Sequence, residues 1–362
     1  MDNKAWAQEV AKKIKEKELA VAKRNVGKVP YTAENGVFND CSGKEIGWWT
    51  NGFWGGMMWQ LYQATNEPVY KESAEELEKK LDAALMNYHV MDHDSGFRWL
   101  PTAVANYRQF GSDESKNRGM LAASNLAGRY NAKGEFIVAW NSRPNHQVDG
   151  WAIIDCMMNL PLLFWASEAT GHPFYKRIAT MHADTTMKNF VRSDYSVMHA
   201  FRFSEETGKA TGEANYCGYS CGSHWARGAA WAIYGFAIAF RYTGKTEYLD
   251  VATALLDKFM TECKEKIPAW DFRLPDGAEK AVDTSAAAIV LCGICELEKH
   301  KKTENFERYK RTLRNNLEEY INYDEDVMGI LGEQDGAHLY ASYGDYFLIE
   351  SYVKENSKIN VW

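Results

Sequence analysis

The sequence predicts an all-α protein, an (α/α)6 barrel of six helical hairpins, on three observations. First, apolar residues recur at helical spacing along nearly the whole chain, with no convincing alternating strand. Second, one two-helix unit repeats. The segments Tyr62–Tyr70, Ser167–Tyr175, Arg241–Tyr248 and Lys301–Tyr309 each join a strongly apolar helix to a charged amphipathic one through a short turn of the Thr-Gly or Thr-Asn kind. Thr and Asn supply turn and cap chemistry there, and Gly tolerates the left-handed position. Third, buried and solvent-facing helices alternate, which six hairpins closed into a ring accommodate. An open solenoid would need polar caps at both ends.

In order, about twelve helices follow from the periodicity, near 3–24, 50–66, 68–89, 98–110, 114–131, 148–170, 172–191, 225–243, 245–264, 283–298, 303–321 and 340–354. The first is charged and amphipathic. The fourth opens at Asp94, where Asp before Ser-Gly is a good cap. Asp149 is read as the cap of the sixth and Ser223 as that of the eighth. The outer-to-inner connections are the longer ones and carry the unusual chemistry: EIGWWTNGFWGG, MDHDSGFRW, FIVAWNSRPNHQVDGW and NYCGYSCGSHWARGAAW. They gather at one mouth, where a rigid scaffold usually mounts functional side chains.

Composition bounds the rest. With 46% apolar residues, only eight prolines and nothing that reads as a linker, residues 1–362 are taken as one catalytic domain. The net charge of −7 and the lack of a basic stripe exclude nucleic acid as a partner. The charged amphipathic start lacks the apolar core of a secretory signal, and no run is long enough to span a membrane. Seven cysteines, several inside apolar helical runs, read as reduced thiols. Cys292 and Cys295 have CxxC spacing but no second pair. The expected compartment is the cytoplasm, with neither catalytic metal nor cofactor, and the expected state is a monomer or homodimer. Thirteen tryptophans and twenty tyrosines suit sugar stacking wherever they flank the mouth.

The stretch His146–Trp165 organises the chain. Trp151, Ile154, Met158 and Leu162 share a helical stripe, with Asp155 on or beside it. A carboxylate there must lose its charge or find partners, so burial raises its pKa, as a general acid requires. A buried Asp capping a neighbouring turn is the other reading. Asp94 pairs with Asp155 as the second carboxyl of glycoside chemistry, with Asp92 and Asp149 as competitors. Arg227 reads as a carboxylate clamp at a helix start, or as a cation stacked on a Trp. His93 and His199 are sugar-bonding groups or satisfied interior imidazoles.

These blocks carry a resemblance. WWTNGFWGG, HDSGF, the AWN of Ala139–Asn141, IIDCMMNLPLLFWASEATG, HWARGAAWAIYGF, IPAWDF, DTSAAAI and YGDYFLIE, in order from about Asp40 to Glu350, resemble the unsaturated glucuronyl hydrolases. Those are (α/α)6-barrel glycosidases of glycoside hydrolase family 88. The resemblance implies a hydrolase that releases a 4,5-unsaturated uronic acid from the non-reducing end of lyase-generated, glycosaminoglycan-type disaccharides. It does so by protonating C4 and hydrating the vinyl ether at C5. It also implies Asp155 as general acid/base, Asp94 as second essential carboxylate, and Trp49, His93, Trp140, His199, Arg227 and Trp231 as substrate contacts. Two positions depart: Cys217 stands where relatives carry Gln, and Asn51 where they carry Asp. The segment GAHLYASYGDYF leaves sulfated substrates open. An unsaturated rhamnogalacturonyl hydrolase acting on pectin fragments is the nearest alternative. A sugar 2-epimerase with His93 and His199 as bases is more remote, as is a non-catalytic sugar-binding protein.

Overall fold

The structure, a computed structural model, describes residues 3–144, 147–264, 266–337, 339–356 and 361–362. The helices fall into an inner and an outer set. The inner set comprises α2 (Phe53–Thr65), α4, α6 (Leu160–Thr170), α8 (Ala226–Thr243), α10 (Thr284–Leu297) and α12 (Ser342–Asn356). Helix α4 is built of Ser95–Trp99, a π-helical stretch Leu100–Val104, and Ala105–Phe110. The widened turn coincides with Pro101, which has no N–H to place in the helical ladder. Outside lie α1 (Asn3–Asn25), α3 (Pro68–Lys80), α5 (Asp113–Gly128), α7 (Phe174–Phe190), α9 (Thr246–Glu262) and α11 (Glu304–Glu318). Each inner helix packs on the next, and α12 packs back on α2. That last contact closes the ring, so the fold is the (α/α)6 barrel and not a solenoid.

Inner-to-outer turns are short. Asn66, Gly111, Gly171 and Gly244 end their helices in the left-handed conformation, and the Thr65, Thr170 and Thr243 hydroxyls each donate to the carbonyl four residues back. The opposite connections hold all the strands among the described residues, which corrects the expectation of none. They are β1 (Thr32–Glu34), β2 (Val37–Phe38), β3 (Tyr130–Asn131), β4 (Phe136–Ile137), β5 (Trp151–Ile153), β6 (Ala200–Phe203), β7 (Ala210–Ala214) and β8 (Tyr340–Ala341). They pair as antiparallel ribbons β2-β1-β8, β3-β4 and β5-β6-β7. At two to five residues each, they are too short for alternation to register in sequence.

The sixth helix is a second correction. It begins at Leu160, not near 148, because β5 and a 3-10 turn, Ile154–Met158, occupy its expected first half. Pro161 explains the break: an α-helix running through it would drive its ring into the Met157 carbonyl. Asp149 is exposed in the turn before β5 and caps no helix. The stretch from 68 to 89 also divides, with α3 stopping at Lys80 and short turns following. His146 and His338 lie outside the described residues.

The barrel axis is aromatic. Phe53, Phe97, Trp231 and Phe347 are wholly buried, with Phe97 5.0 Å from Trp231 and Phe53 5.4 Å from Phe347 between centroids. Trp362 stacks on Phe347 at 5.9 Å and donates its indole N–H to Glu350. Full burial of such rings is the main apolar stabilisation of the core. The approach of α2 to α4 is close enough to exclude a methyl group: a Cβ on Gly52 would lie 2.2 Å from the Phe97 carbonyl oxygen. Gly52→Ala should therefore destabilise by about 3 kcal/mol, read as an earlier urea midpoint. An unchanged midpoint would show that this seam yields freely.

Candidate active site

Asp155 sits in the 3-10 turn after β5, held there because Ile154 N–H donates to the His199 carbonyl on β6's approach (2.9 Å). Its Oδ2 is buried with no hydrogen-bond partner and stands 3.8 Å from His199 Nε2. One oxygen of this carboxyl therefore has no protein partner, and Asp155 does not lie on a buried helical stripe. Desolvation raises its pKa to about 7, and the charge of Asp94 adds to the rise.

Asp94 comes from the neighbouring inner helix, just before α4. Desolvation lifts it to about 6, against the pull of Arg98 and Asn159. It accepts from Asn159 Nδ2 at 3.2 Å and lies 3.5 Å from His93 Nε2. It does not cap its helix through its side chain. Asp92 performs the local structural work instead, accepting from the Asp94 amide (3.0 Å) and from Arg98 Nη2 (2.6 Å). That pairing removes Asp92 from competition for the acid role, and the exposed Asp149 is removed by position.

Both histidines are neutral, with desolvation taking each down to about 3. For His199 the tautomer is also fixed. Its Nδ1 accepts from the Tyr216 (3.2 Å) and Cys217 (3.0 Å) amides, so the ring proton sits on Nε2, facing Asp155. Trp140 closes one wall, 5.9 Å from His93 and 5.0 Å from Tyr216 between rings. It also lines a pocket of about 450 Å³ shared with Trp48, Asp92 and Arg143.

The other wall is Trp49, whose ring is 5.0 Å from Tyr343. Arg227 donates to the Tyr343 hydroxyl (3.1 Å), Asp283 (3.2 Å) and Asp335 (2.6 Å), and stacks on Trp225 at 4.7 Å. Clamp and stack are both present, but the clamp already grips carboxylates of the protein itself. Within the Arg227 guanidinium, Nε is buried without a hydrogen-bond partner. Ser223 is not the cap of α8: that helix starts at Ala226 after an extended Trp225, and Ser223 Oγ accepts from the Ser220 amide (3.4 Å). An antiparallel bridge between Trp225 and Asp271 keeps the chain extended there and delays the helix.

Trp231 lies one turn beyond Arg227, fully buried against Phe97 and Phe347, with its indole N–H buried and without a hydrogen-bond partner. Asn51 is structural, donating to the Glu45 (2.8 Å) and Ile46 (2.9 Å) carbonyls. Sequence reading missed Asn159, Tyr343, Asp283 and Asp335. Of these, only Asp283 had a local signal: it caps α10, accepting from the Ala286 amide (3.2 Å).

Proton donation by a desolvated carboxyl, between tryptophan walls at the mouth of a helical barrel, is glycosidase chemistry, and barrel and site together define that class of enzyme. The profile of Glycosyl Hydrolase Family 88 matches residues 21–354, and the chain belongs to this family. It is similar to the unsaturated glucuronyl hydrolase of Bacillus sp. (strain GL1), 32% identical over 322 residues, or 84% of this chain and 85% of the relative. Similar too is the unsaturated chondroitin disaccharide hydrolase of Streptococcus pneumoniae, at 32% over 326 residues, covering 84% and 81%. The solved unsaturated glucuronyl hydrolase from Streptococcus agalactiae superposes with a TM-score of 0.87 at 29% identity, covering 99% of this chain and 94% of that one.

A stability consequence follows from Asp155. Its folded pKa of about 7 exceeds the unfolded value, so the native state binds the extra proton between the two. Stability is then lost as pH rises through that window. Asp155→Asn removes the penalty: its melting temperature should exceed wild type at pH 8 by about 2 °C or more, with the gap closing near pH 4. Equal melting temperatures at both pH values would contradict the desolvated carboxyl.

Proposed function

We propose that this chain releases the 4,5-unsaturated uronic acid from the non-reducing end of lyase-generated glycosaminoglycan disaccharides, with residues 1–362 acting as one catalytic domain. The observation that carries the proposal is Asp155, a carboxyl raised to about 7 whose Oδ2 has no protein partner. In this reading Asp155 gives its proton to C4 of the vinyl ether. Water adds its oxygen to C5 and returns a proton to the same carboxylate, so acid and base are one group. The resulting hemiketal opens and frees the second sugar. Asp94, tied to Asn159, supplies the second carboxyl. Trp49 and Trp140 flank the sugar, His93 and His199 bond it, and Arg227 meets the uronate.

The names borne by the relatives favour the glucuronyl over the rhamnogalacturonyl reading. The epimerase reading is weakened by His199 itself. A base needs a free lone pair, but His199 Nδ1 is taken by two amides and Nε2 carries the proton. Site of action and assembly belong to the same proposal: a cytoplasmic monomer or homodimer. None of the seven cysteines is in a disulfide, which suits a reducing compartment.

An unsaturated chondroitin or hyaluronan disaccharide should lose its ultraviolet absorbance on mixing with the enzyme. Asp155→Asn should lower that rate by about a thousandfold or more; a near-wild-type rate would remove Asp155 from the role. With pH, kcat/KM should fall as pH rises through about 7, where Asp155 loses its proton. It should fall again below about 6, where Asp94 gains one. The two apparent values belong to the pair. A rate that keeps rising to pH 9 would contradict proton donation by Asp155.

A further inference from the structure

The two amides that fix the His199 tautomer belong to an irregular loop, residues 215–225, between β7 and α8. The loop carries two largely exposed tyrosines, Tyr216 and Tyr219, and no regular hydrogen-bond ladder. Something must nevertheless hold its amides to within hydrogen-bonding distance of one imidazole nitrogen. Asn215 Nδ2 on the Gly218 carbonyl (2.5 Å), Glu213 on the Gly222 amide (2.8 Å) and Arg192 Nη1 on the Ser223 carbonyl (3.0 Å) contribute, and one buried carboxylate ties the middle of the loop to its end. Asp271, 1% exposed, accepts from the Tyr219 amide through Oδ2 (3.0 Å). Its Oδ1 accepts from the His224 (3.2 Å) and Arg273 (2.9 Å) amides. The strand-like bridge of Trp225 to Asp271, with the Ala226 amide on the Trp270 carbonyl (2.9 Å), joins the same two segments.

We infer that Asp271 is a positioning residue for the reaction: it pins the 215–225 loop so that the Tyr216 and Cys217 amides keep His199 in the Nε2–H tautomer facing Asp155. The inference rests on the reading of Asp155 as proton donor. Three amide donors converge on two oxygens, and only a carboxylate accepts all of them. An asparagine in either orientation would set its NH2 against at least one amide. With the loop released, His199 Nδ1 loses its two donors, and nothing then dictates which ring nitrogen holds the proton. A neutral imidazole with the proton moved to Nδ1 presents a lone pair to Asp155 in place of an N–H. The effect on orientation and charge resembles the wrong-tautomer losses known for catalytic imidazoles.

The test is Asp271→Asn, read by long-range proton–nitrogen spectra of histidine-labelled, ligand-free protein, with the His199 signals assigned by difference from His199→Gln. Wild type should show a single Nε2–H tautomer at His199. Asp271→Asn should show a mixture and lower kcat roughly ten- to a hundredfold, with KM moving much less. A lowered kcat with the His199 tautomer unchanged would reduce Asp271 to a structural residue and overturn the inference. If Asp271→Asn does not fold, Gly218→Ala serves. Its Cβ would fall 2.7 Å from Asn215 Oδ1, 2.9 Å from Ser223 Oγ and 3.4 Å from Asp271 Oδ2, displacing the loop while the Asp271 carboxylate itself is kept. An unchanged tautomer there also overturns it. Wild type that shows the single tautomer yet turns over no unsaturated disaccharide would sink the proposed function and leave the tautomer result standing.

Discussion

One buried amide sets the geometry of the mouth. Asn159, at the break between the 3-10 turn and α6, uses both N–H donors and its carbonyl oxygen. Its Oδ1 accepts from the Phe97 amide at 2.8 Å, and its Nδ2 donates to Asp94 Oδ1 and to the Asp155 carbonyl, each at 3.2 Å. The two carboxyl residues belong to segments far apart in sequence, and this side chain joins them. The contact demands glycine at position 96, where a Cβ would lie 2.5 Å from the Asn159 Cα. Everything chemically useful at the mouth depends on the α4 and α6 entrances being locked together in this way.

Around that lock, the site keeps charge off most of its members. Two carboxyls are raised by burial, two imidazoles are held neutral, and the guanidinium of Arg227 is matched by Asp283 and Asp335. The cause is common to all: inside a ring of six packed helices an isolated charge loses its hydration and must be neutralised, paired or protonated. The barrel therefore supplies more than a platform. Its low-dielectric interior is what places a carboxyl's proton at the pH where it can be given and taken back.

Much of this was legible in the sequence, and the failures have local causes. The twelve helices and their inner-outer alternation were readable because a 3.6-residue period persists over long segments. Asp155 was identifiable because a carboxyl interrupts an apolar run. Its setting was misread, however: Pro161 breaks the helix that periodicity alone would extend to 148. The short strands escaped notice since a two-residue pairing leaves no alternation. Trp231 shares a helix with Arg227 and packs on Phe97 and Phe347, contacts that spacing in a motif does not encode. Asp335 reaches the site only through the closure of the ring, and Asn159, though four residues past Asp155, shows its role only where it meets Asp94 and Phe97 across the seam.

The pairing of Arg227 with Asp283 and Asp335 bears on how a ligand is captured. A chain of net charge −7 whose innermost guanidinium is already matched exerts little long-range pull on an anionic disaccharide. Electrostatic steering, which quickens encounter and fades with salt, then contributes little to its entry. On the proposed function, discrimination falls to the lifetime of the bound state, set by how well the sugar fills the space between Trp49 and Trp140 and competes for Arg227 after it has arrived. The enzyme should consequently be tolerant of ionic strength, selecting its substrate by dwell and not by attraction.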